Sequence, residues 1–364
     1  MNRFLLLCFL LFTFSVFSQN SKANRKIKDS TAYNSRIVGL PILFYSPETR
    51  LGFGAAGFFS FKTNRKDTLL RPSQINLGGA YTLENQILTY ASFDVWAFNN
   101  RFSFDGEIGY YNFFYDFWGV GEEPREIERF AVDFPRLRFE VFWELYNGLY
   151  VGPKYTYDNF NILEREEGGR LIKNSYPGAS GGAISGLGVA TKYDTRNNNF
   201  YPTKGYKITA SYEKFAEEIG GDFNYHLTWV DAIKYFGFGN DRVLATNVYG
   251  RFMQGNVPFF HLSQVGGTNR MRGYYEGYHR DKQMLGWQVE YRTPLFWRLG
   301  LVGFVGNAVV SETLEQLKFR NIRTTAGAGV RVKLDRERKI NLRLDFGVSS
   351  DLTTGVYFTI GESF

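Results

Sequence analysis

Few residues in this chain have the type and spacing that chemistry demands, and the most suggestive lie in one stretch. Residues 255–277 read GNVPFFHLSQVGGTNRMRGYYEG. Glycines let a loop fold back tightly on itself, and Gly266 and Gly267 supply a pair of them. Arg272-Gly273-Tyr274 then sets a guanidinium near the tip. Its forked donors match a carboxylate, so a loop carrying it into a cavity can be tied there by an ion pair. That is anchoring chemistry, not bond-breaking chemistry.

Covalent chemistry finds less support. Gly178-Ala179-Ser180-Gly181-Gly182 matches G-x-S-x-G, the nucleophile elbow of hydrolases, which needs a strand-turn-helix setting. Here the glycines open a predicted strand with no helix to follow, and small residues suit a bend or close packing. His261 near Ser263 only places two side chains on one face. His226, His261 and His279 are far apart, and no His-x-x-x-His, Cys-x-x-Cys or EF-hand pattern appears. No phosphate loop is present. The sequence therefore predicts no catalytic residue, no metal and no cofactor. A surface hydrolase is the remote alternative, and Ser180→Ala is its test.

The elements that must position the loop alternate with period two. In 101–110, Phe102, Phe104 and Ile108 oppose Ser103, Asp105 and Glu107. In 136–145, Leu137, Phe139, Val141 and Trp143 oppose Arg138, Glu140 and Glu144. In 340–348, Leu342, Leu344 and Phe346 oppose Asn341, Arg343 and Asp345. Successive strand side chains point to opposite faces, so each segment has one greasy and one charged side. The runs reach about ten residues, as a tilted span of the hydrocarbon layer requires. Their greasy faces are rich in aromatics: the chain holds 36 Phe, 24 Tyr and 39 Gly, yet its mean hydropathy is −0.29. Lipid-facing aromatics alternating with polar lumen residues produce that balance.

Sixteen strands are predicted, near 36–44, 50–62, 72–84, 86–97, 100–113, 131–146, 148–160, 180–194, 203–214, 222–237, 241–254, 283–294, 298–311, 320–334, 338–349 and 354–363. An even number suits a closed single-chain antiparallel barrel, and closure spares the backbone unpaired groups in lipid. With both termini periplasmic, the longest links (114–130, 161–177 and 255–282) fall outside the cell. The links around 63–71 and 195–202 break the rule that inner turns are short.

The N-terminus reads as a secretory signal over 1–18: Arg3, an apolar run from Phe4 to Phe17, then Ser18. Residues 19–35 read as a short flexible periplasmic lead-in, and 36–364 as the barrel. The single cysteine, Cys8, lies within the signal, so the mature chain is expected to have no thiol chemistry. The formal charge of +7 comes from basic residues scattered among acids, which argues against nucleic acid.

Several signatures together resemble the barrel of the BamA/TamA-type outer-membrane assembly and translocation superfamily, also called the bacterial surface antigen barrel. They include Phe117-Trp118-Gly119-Val120-Gly121, Tyr193-Asp194-Thr195-Arg196 followed by Tyr201-Pro202-Thr203-Lys204-Gly205, and Gly255-Asn256-Val257-Pro258-Phe259-Phe260. Met271-Arg272-Gly273-Tyr274, Val289-Glu290-Tyr291-Arg292-Thr293-Pro294-Leu295 and the segment from Tyr357 to Phe364 complete the set. The resemblance implies an all-β, sixteen-stranded antiparallel transmembrane barrel whose sixth extracellular loop folds into the lumen. It implies that Arg272 meets acidic residues of the inner wall, first Glu290. The family's second acid, expected in a Phe-x-Asp-x-Gly pattern, is missing: the chain reads Phe304-Val305-Gly306-Asn307-Ala308. Glu290 alone or Asp345 must then serve. Phe358, Ile360 and Phe364 resemble the C-terminal signal by which such barrels are recognised for insertion.

The family's periplasmic POTRA domains have no counterpart here, so a separate periplasmic or membrane protein would supply their role. The resemblance implies a non-enzymatic outer-membrane protein that inserts or translocates proteins or lipids, in contact with lipid and lipopolysaccharide. Self-association stays open. The alternative is a gated or passive channel, in which Asp105, Glu107, Arg136, Arg138, Glu140 and Arg343 set selectivity.

Overall fold

The computed structural model describes residues 33–46, 50–83, 85–121, 126–173, 176–336 and 338–364. The predicted signal and nearly all of the lead-in lie outside the described residues. Sixteen strands make one antiparallel sheet: β1 (Arg36–Ser46), β2 (Arg50–Phe61), β3 (Ser73–Thr82), β4 (Ile87–Ala97), β5 (Phe102–Phe117), β6 (Glu128–Tyr146), β7 (Leu149–Arg165), β8 (Gly182–Asp194), β9 (Gly205–Phe215), β10 (Tyr225–Gly237) and β11 (Val243–Gly255) come first. A two-stranded hairpin follows, β12 (Ser263–Val265) with β13 (His279–Asp281). The sheet resumes with β14 (Gln283–Pro294), β15 (Leu299–Ser311), β16 (Arg323–Asp335), β17 (Ile340–Ser349) and β18 (Thr354–Ile360). Each sheet strand pairs with its neighbour in sequence, β11 reaching β14 across the hairpin. No helix of the described residues is long and apolar enough to cross a membrane.

The sheet rolls up into a barrel. Arg36, the first residue of β1, places Nη1 2.6 Å from Asp335 at the end of β16. Arg338 in the next turn donates to the carbonyl of Asn34 at 2.8 Å. Leu77, Ile108, Trp143, Val189, Leu301 and Phe346 stay exposed on the outer face, where lipid takes the place of a protein core. Below, the rim that holds both Arg36 and Ile360 is called proximal and the other distal.

The structure differs from the sequence reading in four places. The links expected at 114–130 and 161–177 are shorter, because β5, β6 and β7 run for 16, 19 and 17 residues. Alternation fades in 110–117 because aromatic residues occupy both faces, and the inner face is covered by protein instead of water. The glycine-rich strand begins at Gly182, two residues after Ser180, which sits in a turn. The loop at 255–282 contains the β12–β13 hairpin and is not irregular throughout. Finally, β18 stops at Ile360, short of the predicted 363.

Candidate functional site

The loop between β11 and β14 fills the distal half of the bore. Its first part, Val257, Phe259, Phe260 and Leu262, packs with Phe117, Phe130, Phe134, Phe160 and Phe215 of the wall in one buried cluster. Phe260 stacks on Phe160 with centroids 4.0 Å apart, and Phe160 stacks on Phe134 at 4.2 Å. Offset rings at these distances add to the burial of area itself. His261 is buried here, and its Nδ1 lies 2.6 Å from the Tyr225 hydroxyl. Burial, then the nearby Arg251, hold its pKa well below the ordinary histidine value.

Beyond the hairpin's first strand the loop descends to the wall and places Arg272, which is 1% exposed. Arg272 Nη2 lies 2.5 Å from Glu290 Oε2 on β14. Its Nη1 pairs with Asp345 Oδ2 on β17. The guanidinium carbon lies 3.6 Å from the ring centroid of Phe304, a cation–π contact in a desolvated setting. The Thr325 hydroxyl donates to the Arg272 carbonyl. Gly273 has φ +119°, and a Cβ there would lie 2.8 Å from the Val348 carbonyl carbon. Across the gap, a Cβ on Gly347 would lie 2.4 Å from the Arg272 carbonyl oxygen. Two glycines therefore let the loop backbone press against β17. Tyr274 is fully buried; its hydroxyl lies 2.9 Å from Ser350 Oγ, and the Gly273 amide donates to Tyr357 at 2.9 Å.

The anchor is larger than one ion pair. Arg292 Nε lies 2.8 Å from Glu290 Oε1, and Arg331 Nη1 lies 2.5 Å from Asp345 Oδ1. Arg343 Nε is 3.6 Å from Asp345 Oδ2, while Nη2 donates to the loop carbonyl of Thr268 at 3.0 Å. Glu362 takes Arg331 Nε at 2.8 Å. Four guanidiniums thus face three side-chain carboxylates in a buried network. Two of those carboxylates lie on β14 and β17 and one in the tail after β18.

That tail turns into the bore. Ser363 donates to Glu290 Oε2 at 2.8 Å, and Arg292 donates to the Phe364 carbonyl at 2.7 Å. Phe364 packs against a lumen cluster of Tyr201, Ile233, Tyr235, Val243 and Ala245. Phe358 and Ile360 remain on the outer face, 57% and 42% exposed. The three residues that resemble a C-terminal insertion signal therefore lie on two faces.

The two long proximal links account for the rest of the seal. In the link 62–72, Leu70 is 2% exposed and packs with Trp96, Phe142, Tyr150 and Ala190, all facing inward. Arg71 Nη1 reaches Asp194 Oδ2 at 2.8 Å, which also holds Arg196 at 2.8 Å. The link 195–204 contributes Tyr201, whose hydroxyl donates to the Asp241 carbonyl at 2.8 Å. These links are long because they fold into the proximal mouth instead of turning at the rim. Between proximal and distal clusters lies a cavity of about 590 Å³.

A model of the Omp85 superfamily domain matches residues 69–364. The chain belongs to the Omp85 superfamily. Among solved structures it is similar to BamA from Haemophilus ducreyi lacking POTRA domains 1-3, with TM-score 0.57 and 16% identity over 90% of this chain and 70% of that one. CdiB from Acinetobacter baumannii gives TM-score 0.56 at 9% identity, covering 90% of this chain and 59% of that one. CdiB from Escherichia coli gives TM-score 0.58 at 9% identity, covering 90% and 62%. This chain thus spans about 60% of the CdiB chains, and at these identities the likeness is one of fold. No curated protein matches it.

Within this Omp85 barrel the residues singled out from sequence fall into two groups. Arg272, Glu290, Asp345 and Arg343 meet in the anchor network. Asp105, Glu107, Arg136, Arg138 and Glu140 line the central cavity instead. Ser180 lies outside both, and Ser263 donates only to backbone carbonyls, of Arg251 at 3.4 Å and Lys282 at 3.2 Å. No cluster of three or more His, Cys, Asp or Glu arranged for a metal occurs among the described residues. Sequence reasoning missed Arg331, Glu362 and the proximal seal. The only signal for the seal was the unusual length of two links.

Proposed function

We propose that this Omp85 barrel inserts or translocates proteins or lipids in the outer membrane, without catalysis, with its proximal rim and both termini on the periplasmic side. In this reading it contacts outer-membrane lipid and lipopolysaccharide directly. One observation carries the reading. Every sheet strand has a registered partner on each side except β1 and β18, which share no ladder among the described residues. β1 has 11 residues and β18 only 7, so their edges cannot match in full. An unpaired edge is a template for an incoming strand, whose main-chain groups need partners in lipid. The superfamily match and the fold shared with BamA and CdiB support the same reading.

The experiment is site-specific photocrosslinking from the two edges in native membranes. Ile37 on β1 and Val356 on β18 are 77% and 69% exposed and suit the probe. Adducts with another polypeptide or a lipid at these positions, absent when the probe replaces Leu187 on β8, are the expected result. Crosslinks only within the chain, together with a large and steady single-channel conductance, would replace this reading with the channel.

A further inference from the structure

The central cavity lies between two apolar seals, and its charges do not all cancel. On the wall, Arg136 and Arg138 share Asp158, at 3.0 and 2.7 Å, with Glu107 3.5 Å from Arg136. Lys154 is taken by Glu140 at 2.8 Å and Glu213 at 3.4 Å. Arg251 of β11 lines the same space and has no ion pair or side-chain hydrogen bond among the described residues. Trp229 is its cross-strand neighbour, and Phe260 and Leu227 line the same cavity. The opposite, loop side carries Glu276, likewise without an ion pair or hydrogen bond. Arg136, Arg138 and Arg251 line the same space as that carboxylate.

A guanidinium offers five donors in a fixed fork and no acceptor. Lining a cavity with no carboxylate in hydrogen-bond contact, Arg251 has donors that a ligand oxygen can take in bidentate form. The volume falls within the roughly 300–1,000 Å³ of small-molecule sites, which pair apolar walls with a few placed polar groups. We propose that this cavity is a binding site for a small molecule with one anionic head, carboxylate or phosphate, held by Arg251, and an apolar or planar body lying along Trp229 and Phe260. The lining holds six carboxylates and four cationic side chains, so the anionic head is selected by the free guanidinium fork of Arg251 and not by net charge.

The test uses the full barrel in detergent micelles, with benzoate and phenyl phosphate as anionic probes and benzylamine as the cationic control. Each is read by calorimetry after addition to the folded protein and after refolding in its presence. Binding of at least one anion, weaker in high salt and absent for benzylamine, is expected. Comparing benzoate with phenyl phosphate assigns the head as carboxylate or phosphate. Arg251→Gln is expected to weaken the bound probe by roughly tenfold or more, the factor of a charge-assisted bond. Arg251→Lys restores part of the affinity while losing the bidentate contact. Circular dichroism and heat-modifiable gel mobility establish that each variant is folded. Equal binding of benzylamine, equal affinity in folded Arg251→Gln, or no anion binding by either route would overturn the proposal. None of these outcomes bears on the β1–β18 edges, so this test and the crosslinking fail independently.

Discussion

Removing Glu290 should damage the barrel more than removing Arg272, although both are halves of one ion pair. The reason is the charge count of the network. Arg272, Arg292, Arg331 and Arg343 face Glu290, Asp345 and Glu362. Arg272→Gln leaves three guanidiniums with three side-chain carboxylates, and Glu290 keeps Arg292 at 2.8 Å while Asp345 keeps Arg331 at 2.5 Å. Its cost is that of charge-assisted hydrogen bonds lost from a satisfied site, about 1.5–3 kcal/mol. Glu290→Gln leaves four guanidiniums with two side-chain carboxylates: Arg272 then shares Asp345 with Arg331 and Arg343, and Arg292 keeps Glu362 at 3.6 Å and the Phe364 oxygen at 2.7 Å. Breaking a buried pair so that charge is stranded costs about 3–5 kcal/mol. The double variant returns three guanidiniums to two carboxylates and should lie below the sum of the singles, since the sites share partners. Two readouts are needed: guanidinium unfolding in detergent for stability, and trypsin cleavage after Arg270 or Arg280 for loop release. If Arg272→Gln costs as much as Glu290→Gln and the two effects add, the network is not acting as a charge-balanced unit and the reasoning fails.

Gly347→Val forces a side chain into the Arg272 carbonyl and should expel the loop tip while leaving β17 paired; trypsin sensitivity at Arg270 would rise, with circular dichroism unchanged. His261 is held neutral by burial, so below about pH 6.5 the unfolded chain binds a proton that the native site refuses. Stability should therefore fall as pH drops below that value, by up to about 1.4 kcal/mol per unit, and stay flat above it. His261→Gln should remove that slope in unfolding titrations from pH 5 to 7. Leu70→Asp puts a charge into the apolar cluster with Trp96 and Phe142 and should release the 62–72 link, detected as new protease cleavage near Arg65. Combined with Arg272→Gln it should give bilayer conductance well above either single variant, because two seals close the bore in series.

The strands were legible because period-two alternation is written residue by residue and lipid enforces it on every span. All sixteen were placed from it, with errors at the ends where the enforcing solvent changes. Thus β5 outran its expected end, since Tyr111, Tyr115 and Phe117 join the buried cluster of Phe259 and Phe260 instead of facing water. Arg272 and Glu290 were legible through motif resemblance, and the inward direction of Glu290 through parity with Gln288 and Arg292. Glu290 as the partner of Arg272 came with that resemblance, while Asp345 stayed open. Whether Asp345 joins Glu290 depends on how far the loop descends, and that is set by the glycines at 273 and 347 approaching across the bore. The fate of Phe364 was equally hidden, because a tail can continue a strand or turn from it at Gly361, and only Arg292 and the Tyr201 cluster make the turn favourable. Local sequence thus determined which residues face inward, a property of the strand alone. The rolled sheet decided which of them meet, because its contacts join positions up to 304 residues apart, and no local pattern encodes that distance.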